Sequence, residues 1–132
     1  MGTFDMDISG ELQKLFSDLQ NVENIEDEMI NAALPTIEGA VHAGYSAHVR
    51  SGSLAGSLNI HPSRAGRDGR YGYVAPEGTD ARGVRNGEKA AYMEYGTGKQ
   101  ASTPVVAPAV KGSEGAVLEI MQNIFDSKVG AT

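Results

Sequence analysis

The side chains best suited to electrostatic or reactive chemistry crowd into the middle of the chain. Arg64, Arg67 and Arg70, followed by Arg82, Arg85 and Lys89, form its one basic concentration, and clustered cations of this kind hold phosphates or acidic surfaces. Asp68, Glu77, Asp80 and Glu88 interrupt the cluster. Three readings therefore fit: a solvated loop surface, direct phosphate contact, or ion pairs with an acidic partner such as the first helix of another copy. Tyr71 and Tyr73 either stack on nucleic-acid bases or, two residues apart, pack on one face of a strand. Gly66, Gly69, Gly72 and Gly78 match neither the phosphate-binding loop nor the dinucleotide fingerprint, so turns are their default use. His42, His48 and His61 are separated by 6 and 13 residues, which does not give the i, i+4 pair of a helical metal site. Neither Ser51 nor Ser53 sits in a nucleophile elbow, and the acids are scattered along a helix face. Zero cysteines exclude disulfide scaffolds, thiolate catalysis and Cys-ligated zinc or iron–sulfur centres. The expectation is a chain that is not an enzyme and holds no metal or cofactor.

Those residues need a scaffold, and its size is bounded by 132 residues, about one domain (1–132). Residues 1–50 hold nine acids against two bases, residues 51–100 five against seven, and residues 101–132 three against two. A chain with net charge −6 is no general polyanion binder. No stretch approaches the run of about 20 apolar residues that spans a bilayer, and the opening MGTFDMDISG does not read as a secretory leader, so no membrane partner is expected.

The periodicity predicts an α+β domain. Leu12, Leu15, Phe16, Leu19, Val22, Ile25, Met29, Ile30, Ala33, Leu34, Ile37 and Val41 recur every three or four residues, which predicts an amphipathic helix over 9–47 with Asp7 or Ser9 as its cap. Pro35 predicts a kink or break near Ala33 and Leu34. The acidic side of this helix is either a solvated face or a surface lying along a neighbouring subunit. Residues 51–98 turn glycine-rich and predict sheet and loops, with extended segments at 54–60, 71–75 and 89–95 in a small antiparallel sheet of three or more strands. Leu58 and Ile60 share one face of the first, and Ala91, Met93 and Tyr95 one face of the last. Polar connections at 62–70 and 76–88 separate the strands, the second long enough to be mobile or functional. Pro104 and Pro108 predict an extended passage over 102–108. A last helix over 113–127 follows, capped by Ser113, with Val117, Ile120, Met121, Ile124 and Phe125 buried and residues 130–132 frayed.

Two segments in this order carry a resemblance. They are Ser51-Gly52-Ser53-Leu54-x-x-Ser57-Leu58 after a long helix, and Tyr92-Met93-Glu94-Tyr95-Gly96-Thr97 leading into Pro104 and the Pro108-Ala109 pair. The chain resembles the HK97 gene 10-like tail-component family of tailed bacteriophages, in which a Thr/Ser-Gly-x-Leu-x-x-Ser-Ile element precedes a Tyr-Val-Glu-Phe-Gly-Thr element, a Pro-Phe-Leu-x-Pro-Ala segment and a last helix. The departures are Ala55, where the family often has arginine, and Val105 and Val106 in place of Phe-Leu. Val105 leaves volume at a place expected to be buried, which a neighbour must fill. Read on the residues themselves, Gly96 and Gly98 supply positive φ or close approach, Glu94 faces away from Met93 and Tyr95, and Thr97 bonds locally to the turn.

The resemblance implies a structural subunit of a phage or prophage head–tail junction, a tail completion, terminator or neck protein. It would act by self-association into a ring, six copies being the expected number. It implies other connector or tail proteins as neighbours, DNA passing through the lumen without specific binding, and a place in the virion after assembly in the bacterial cytoplasm. An acidic lumen would repel the phosphate backbone and reduce sticking. The alternative is a small binding module that uses loops 62–70 and 76–88, with Arg64, Arg67, Arg70, Arg82 and Arg85, to hold a protein or nucleic acid.

Overall fold

The computed structural model describes residues 2–48 and 52–129. Six elements follow in order: α1 (Gly2–Ser46), α2 (Gly52–Ala55), β1 (Leu58–Gly66), β2 (Gly69–Pro76), α3 (Asn86–Tyr95) and α4 (Val106–Val129). Ser51 and the 130–132 tail lie outside the described residues.

Helix α1 is one uninterrupted 45-residue element with Pro35 inside it. It begins well before Ser9, so Asp7 and Ser9 are helical and neither caps it. The expected break at Pro35 is absent. A proline deletes one backbone hydrogen bond, but here Ala33 and Leu34 before it and Val41 after it are all buried, and that packing keeps the helix continuous across it. Helix α4 runs antiparallel to α1. Val105, at the start of α4, lies against Gly44 near the C-terminal end of α1, whereas Lys128, at the other end of α4, reaches Glu28 at 3.5 Å.

Helix α4 starts at Val106 rather than near Ser113, and residues 106–108 are helical rather than extended. Pro108 falls in the first turn, where no intrahelical N–H is required of it. Ser113 is not a cap: it is buried inside the helix and its hydroxyl donates to the Val110 carbonyl at 3.1 Å. Of the expected stripe, Val117, Ile120, Met121 and Ile124 are half-buried, while Phe125 is exposed.

Among the described residues the sheet has two strands, where three or more were expected. Leu58 pairs with Pro76, Ile60 with Val74, His61 with Tyr73 and Arg64 with Tyr71. Between the last two pairs, Pro62 and Ser63 stand opposite Gly72 alone, a bulge that accommodates a proline unable to donate to the ladder. Most of the expected 62–70 loop is therefore strand. Arg67 and Asp68 form the turn, followed by Gly69 at φ +129°, a conformation that favours glycine. Residues 54 and 55 are not strand but part of the short α2, where Leu54 and Ala55 are buried.

Residues 89–95 form the end of helix α3 instead of a third strand. The alternation of Ala91, Met93 and Tyr95 imitates a strand face, but the side chains turned inward are Asn86, Ala90 and Met93, spaced at the helical interval. Ala91, Tyr92 and Tyr95 are exposed.

The core gathers where α1, α2, α3 and the start of α4 meet: Val41, Tyr45, Leu54, Ala55 and Val105, flanked by Ile37, Leu58, Ala90, Met93 and Ala109. Tyr45, 1 % exposed, is its largest fully buried side chain. Val105 is buried as expected, and the space beside it is closed by the backbone of α1. A Cβ on Gly44 would lie 2.7 Å from Val105 Cγ1. The hairpin closes on α1 in the same way, since a Cβ on Gly72 would meet Leu34 Cδ1 at 2.9 Å and Ile30 Cγ2 at 3.0 Å.

Candidate functional site

The residues that carry the second motif form a joint between α3 and α4. Glu94, near the end of α3, accepts hydrogen bonds on Oε1 from the backbone N–H groups of Val105 at 2.9 Å and Val106 at 2.8 Å, and on Oε2 from Ala107 at 3.1 Å. Those are donors that a helix N-terminus leaves without intrahelical partners, and a carboxylate also suits the positive end of the helix dipole. Partial burial pushes the Glu94 carboxyl up, but the three backbone donors outweigh it and hold it below its ordinary value. Gly96 then turns the chain at φ +77°, and its N–H donates to the Tyr92 carbonyl at 2.8 Å. A Cβ at Gly96 would press against Gln100 O and Ser102 N, both at 2.9 Å. Thr97 and Gln100 pair across the turn, Thr97 Oγ1 accepts from Lys99 N at 3.2 Å, and Thr103 N donates to Met93 O at 2.7 Å. Gly98 has neither a positive φ nor a neighbour close to its missing Cβ, so neither role expected of it applies. The first motif is likewise local: the Ser57 hydroxyl donates to the Leu54 carbonyl at 2.8 Å.

Beside this joint lies an open groove of about 730 Å³, lined mainly by Ile37, Ala90, Ala91, Tyr95, Val106, Val110 and Val117, with Glu94, Lys111 and Glu114 as its charged residues. Tyr95, 82 % exposed, stands at its edge rather than in the core.

The basic residues do not converge. Arg70 turns inward and grips Asp27 of α1 with two bonds, Nε to Oδ1 at 2.7 Å and Nη2 to Oδ2 at 3.0 Å. Arg70 and the Ser63 hydroxyl hold the Asp27 carboxyl below its ordinary value. Arg64 lies over the Tyr71 and Tyr73 rings, 5.1 and 5.7 Å from their centroids, and its Nε donates to the Tyr71 hydroxyl at 2.8 Å. His61 stacks on Tyr73 and bonds Glu77 through Nε2. The tyrosines thus do share one face of the hairpin, as a ladder extended by a histidine and an arginine. Arg85 pairs with Glu88 at 2.7 Å, while Arg67 and Arg82 are exposed.

The long 76–88 connection is tied down rather than loose. Asp80 accepts from the backbone N–H of Arg82 at 2.9 Å and of Val84 at 3.0 Å and pairs with Lys89 at 2.8 Å. Chiefly through the Lys89 bond, its carboxyl is lowered to about 2. Asn86 is buried and donates from Nδ2 to the Glu77 carbonyl at 2.9 Å. Lys89 also donates to Ser53 Oγ at 2.6 Å. A serine beside a lysine is one arrangement for nucleophilic catalysis, but the Lys89 ammonium is committed as donor to both Asp80 and Ser53 and offers no lone pair to take a proton. The cluster anchors a loop. Among the described residues, no three His, Asp or Glu side chains converge as metal ligands, and no helix is long and apolar enough to cross a membrane.

A second apolar surface lies at the other end of the molecule. Leu12, Leu15, Leu19 and Val22, on the part of α1 that precedes its contacts with α4 and the hairpin, are 44 to 50 % exposed. The sequence placed them on the buried stripe, yet among the described residues no element covers them. Comparison with protein-family models, curated proteins and solved structures finds no match.

Proposed function

We propose that the protein is a structural subunit of a bacteriophage or prophage head–tail junction, a tail completion, terminator or neck component that works by assembling with copies of itself rather than by turnover. The observation that carries this reading is the use made of the motif on which the resemblance rests. Glu94, Gly96 and Thr97 are spent on backbone donors and a tight turn, and the joint they build borders an open apolar groove. Motif residues of this kind shape a subunit and present a surface. In this reading the copies close into a ring, with DNA passing through without specific contacts, and the ring meets other connector or tail proteins in the virion.

Native mass spectrometry over a concentration series, with negative-stain imaging of large species, tests the proposal. A closed ring with an open centre is the expected result. Monomer alone, even with purified partner rings present, counts against it. The stacked face of His61, Tyr73, Tyr71 and Arg64 favours a second reading, a binding module for single-stranded nucleic acid. That version predicts salt-sensitive binding weakened by Arg64→Ala and Arg67→Ala, and is excluded by absence of binding at low salt.

A further inference from the structure

We propose that the N-terminal arm of α1 in one molecule lies in the groove between α3 and α4 of a second, a head-to-tail contact between copies of this chain. The inference deepens the assembly reading and rests on it for its biological use, though the contact has its own test.

Two uncovered apolar features belong to one chain and cannot satisfy each other within it. The arm lies on the N-terminal side of the Asp27–Arg70 and Glu28–Lys128 contacts. The groove opens at Ile37, about 22 Å further along the same helix from Val22 and about 37 Å from Leu12 at 1.5 Å per residue. Because α1 is continuous from Gly2 to Ser46, the arm has no hinge on which to fold back. A second molecule removes the obstacle.

The shapes agree. Leu12, Leu15, Leu19 and Val22 follow the 3, 4, 3 spacing of a narrow helical stripe, the pattern by which an amphipathic helix seats in an apolar groove. Ala90 and Ala91 are small residues of the groove's lining, and small side chains let an incoming helix approach within ordinary helix-packing distance.

Charge selects the partner. Residues 2–28 carry eight acids and Lys14 as their single base, and Asp18 and Glu23 flank the apolar stripe. Two arms pairing as a coiled coil would bring these acids together, an arrangement that like-charge repulsion disfavours. The body is different: residues 52–129 hold nine bases against eight acids, and the groove's charged lining is Lys111 with Glu94 and Glu114, of which Glu94 is already engaged by three backbone donors. An acidic arm is therefore repelled by another arm far more strongly than by the nearly balanced body. Because arm and groove are different surfaces, the contact is heterologous, and repetition gives a ring when the rotation closes and an open chain when it does not.

A chain without cysteine makes the test direct. Full-length single variants at exposed positions, Leu15→Cys or Leu19→Cys on the arm and Ala91→Cys or Val110→Cys in the groove, are mixed in pairs, oxidised mildly and read on non-reducing gels beside native mass spectra. The expected result is a disulfide-linked dimer in arm-plus-groove mixtures, at least tenfold above arm-with-arm, and lost when Leu12→Asp is added to the arm partner. Preferential arm-with-arm linkage overturns the proposal in favour of a coiled coil. Oligomers in the native spectra without mixed linkage overturn the contact and leave ring assembly standing. Mixed linkage with open chains only upholds the contact and removes the ring. Monomer throughout with no linkage overturns both.

Discussion

The two halves of α1 are built from the same kind of sequence and have different fates. From Glu26 to Ser46 the helix is gripped on several sides: Asp27 by Arg70 and Ser63, Leu34 by the hairpin at Gly72, and Tyr45 by α2 and the start of α4. From Gly10 to Asn24 every residue whose side chain is described is exposed, although leucines recur there at the same intervals. Amphipathic periodicity states that a helix has an apolar face, not that its own chain supplies the cover. What separates the halves is the reach of the other elements, whose ion pairs with α1 among the described residues lie at Asp27 and Glu28 and no nearer its N-terminus.

The sharpest way to break this contrast is to truncate one apolar residue in each half. Tyr45→Ala is expected to lose about 3 to 5 kcal/mol of unfolding free energy, as for a large buried aromatic, whereas Leu15→Ala or Leu19→Ala should change it by about 0.5 kcal/mol or less in dilute monomer. Urea unfolding followed by circular dichroism distinguishes them, and equal losses would mean that the arm is covered within the monomer. Removing the joint comes next. Glu94→Ala should cost about 2 kcal/mol, since it leaves three helix N-terminal donors without their charged acceptor, and hydrogen exchange should quicken at the amides of 105–107. Glu94→Gln, which keeps a neutral acceptor, should recover part of the loss.

Glycines sharpen the comparison with opposite signs. Gly72→Ala must push its Cβ against Leu34, Ile30 and the His61 carbonyl, a crowding expected to cost about 1 to 3 kcal/mol. At Gly10→Ala, on the arm, the new Cβ meets nothing and the helix should gain about 0.5 to 1 kcal/mol. Thermal melting of the two variants should move in opposite directions.

Acid should act on the body. The carboxyls of Asp27, Asp80 and Glu94 are all lowered in the folded protein, so each binds protons more readily when unfolded. Their contributions are complete above the ordinary carboxylate range and disappear as pH falls through the folded values. For Asp80, held at about 2, the loss should run from about pH 4 to about pH 2. Asp80→Asn should flatten that part of the stability profile, the smallest of the expected effects because the group is near the surface. An unchanged acid limb would show that the Lys89 pair is not maintained in solution.

What could be read from the chain follows from where each signal resides. The long helix, the strand around Tyr71 to Val74 and the stripe of Val117, Ile120 and Ile124 are written in local periodicity, and all are present. Helix α3 was hidden because its inward face is Asn86, Ala90 and Met93, only one of them strongly apolar, whereas the more conspicuous alternation of Ala91, Met93 and Tyr95 imitates a strand. The start of α4 was hidden because Pro104 and Pro108 read as extended, and because its cap, Glu94, lies 11 to 13 residues upstream on another element. The separation of the arginines was beyond a local reading too, since Arg70 finds its partner 43 residues away. A glutamate between two aromatic residues, followed by glycine and a proline-bounded segment, was the one available hint of the joint.

The close seating of Gly44 on Val105 has a mechanical consequence. A long helix clasped along one half is a lever, and its free end magnifies whatever happens at the clasp. Leu12 is about 21 Å beyond Glu26, where the grip ends, so a tilt of about 5° of the clasped half displaces it by about 2 Å relative to that point. A side chain at position 44 would alter the angle of the lever as well as the packing beneath it, and the reach of each molecule towards its neighbour would change without any substitution at the point of contact.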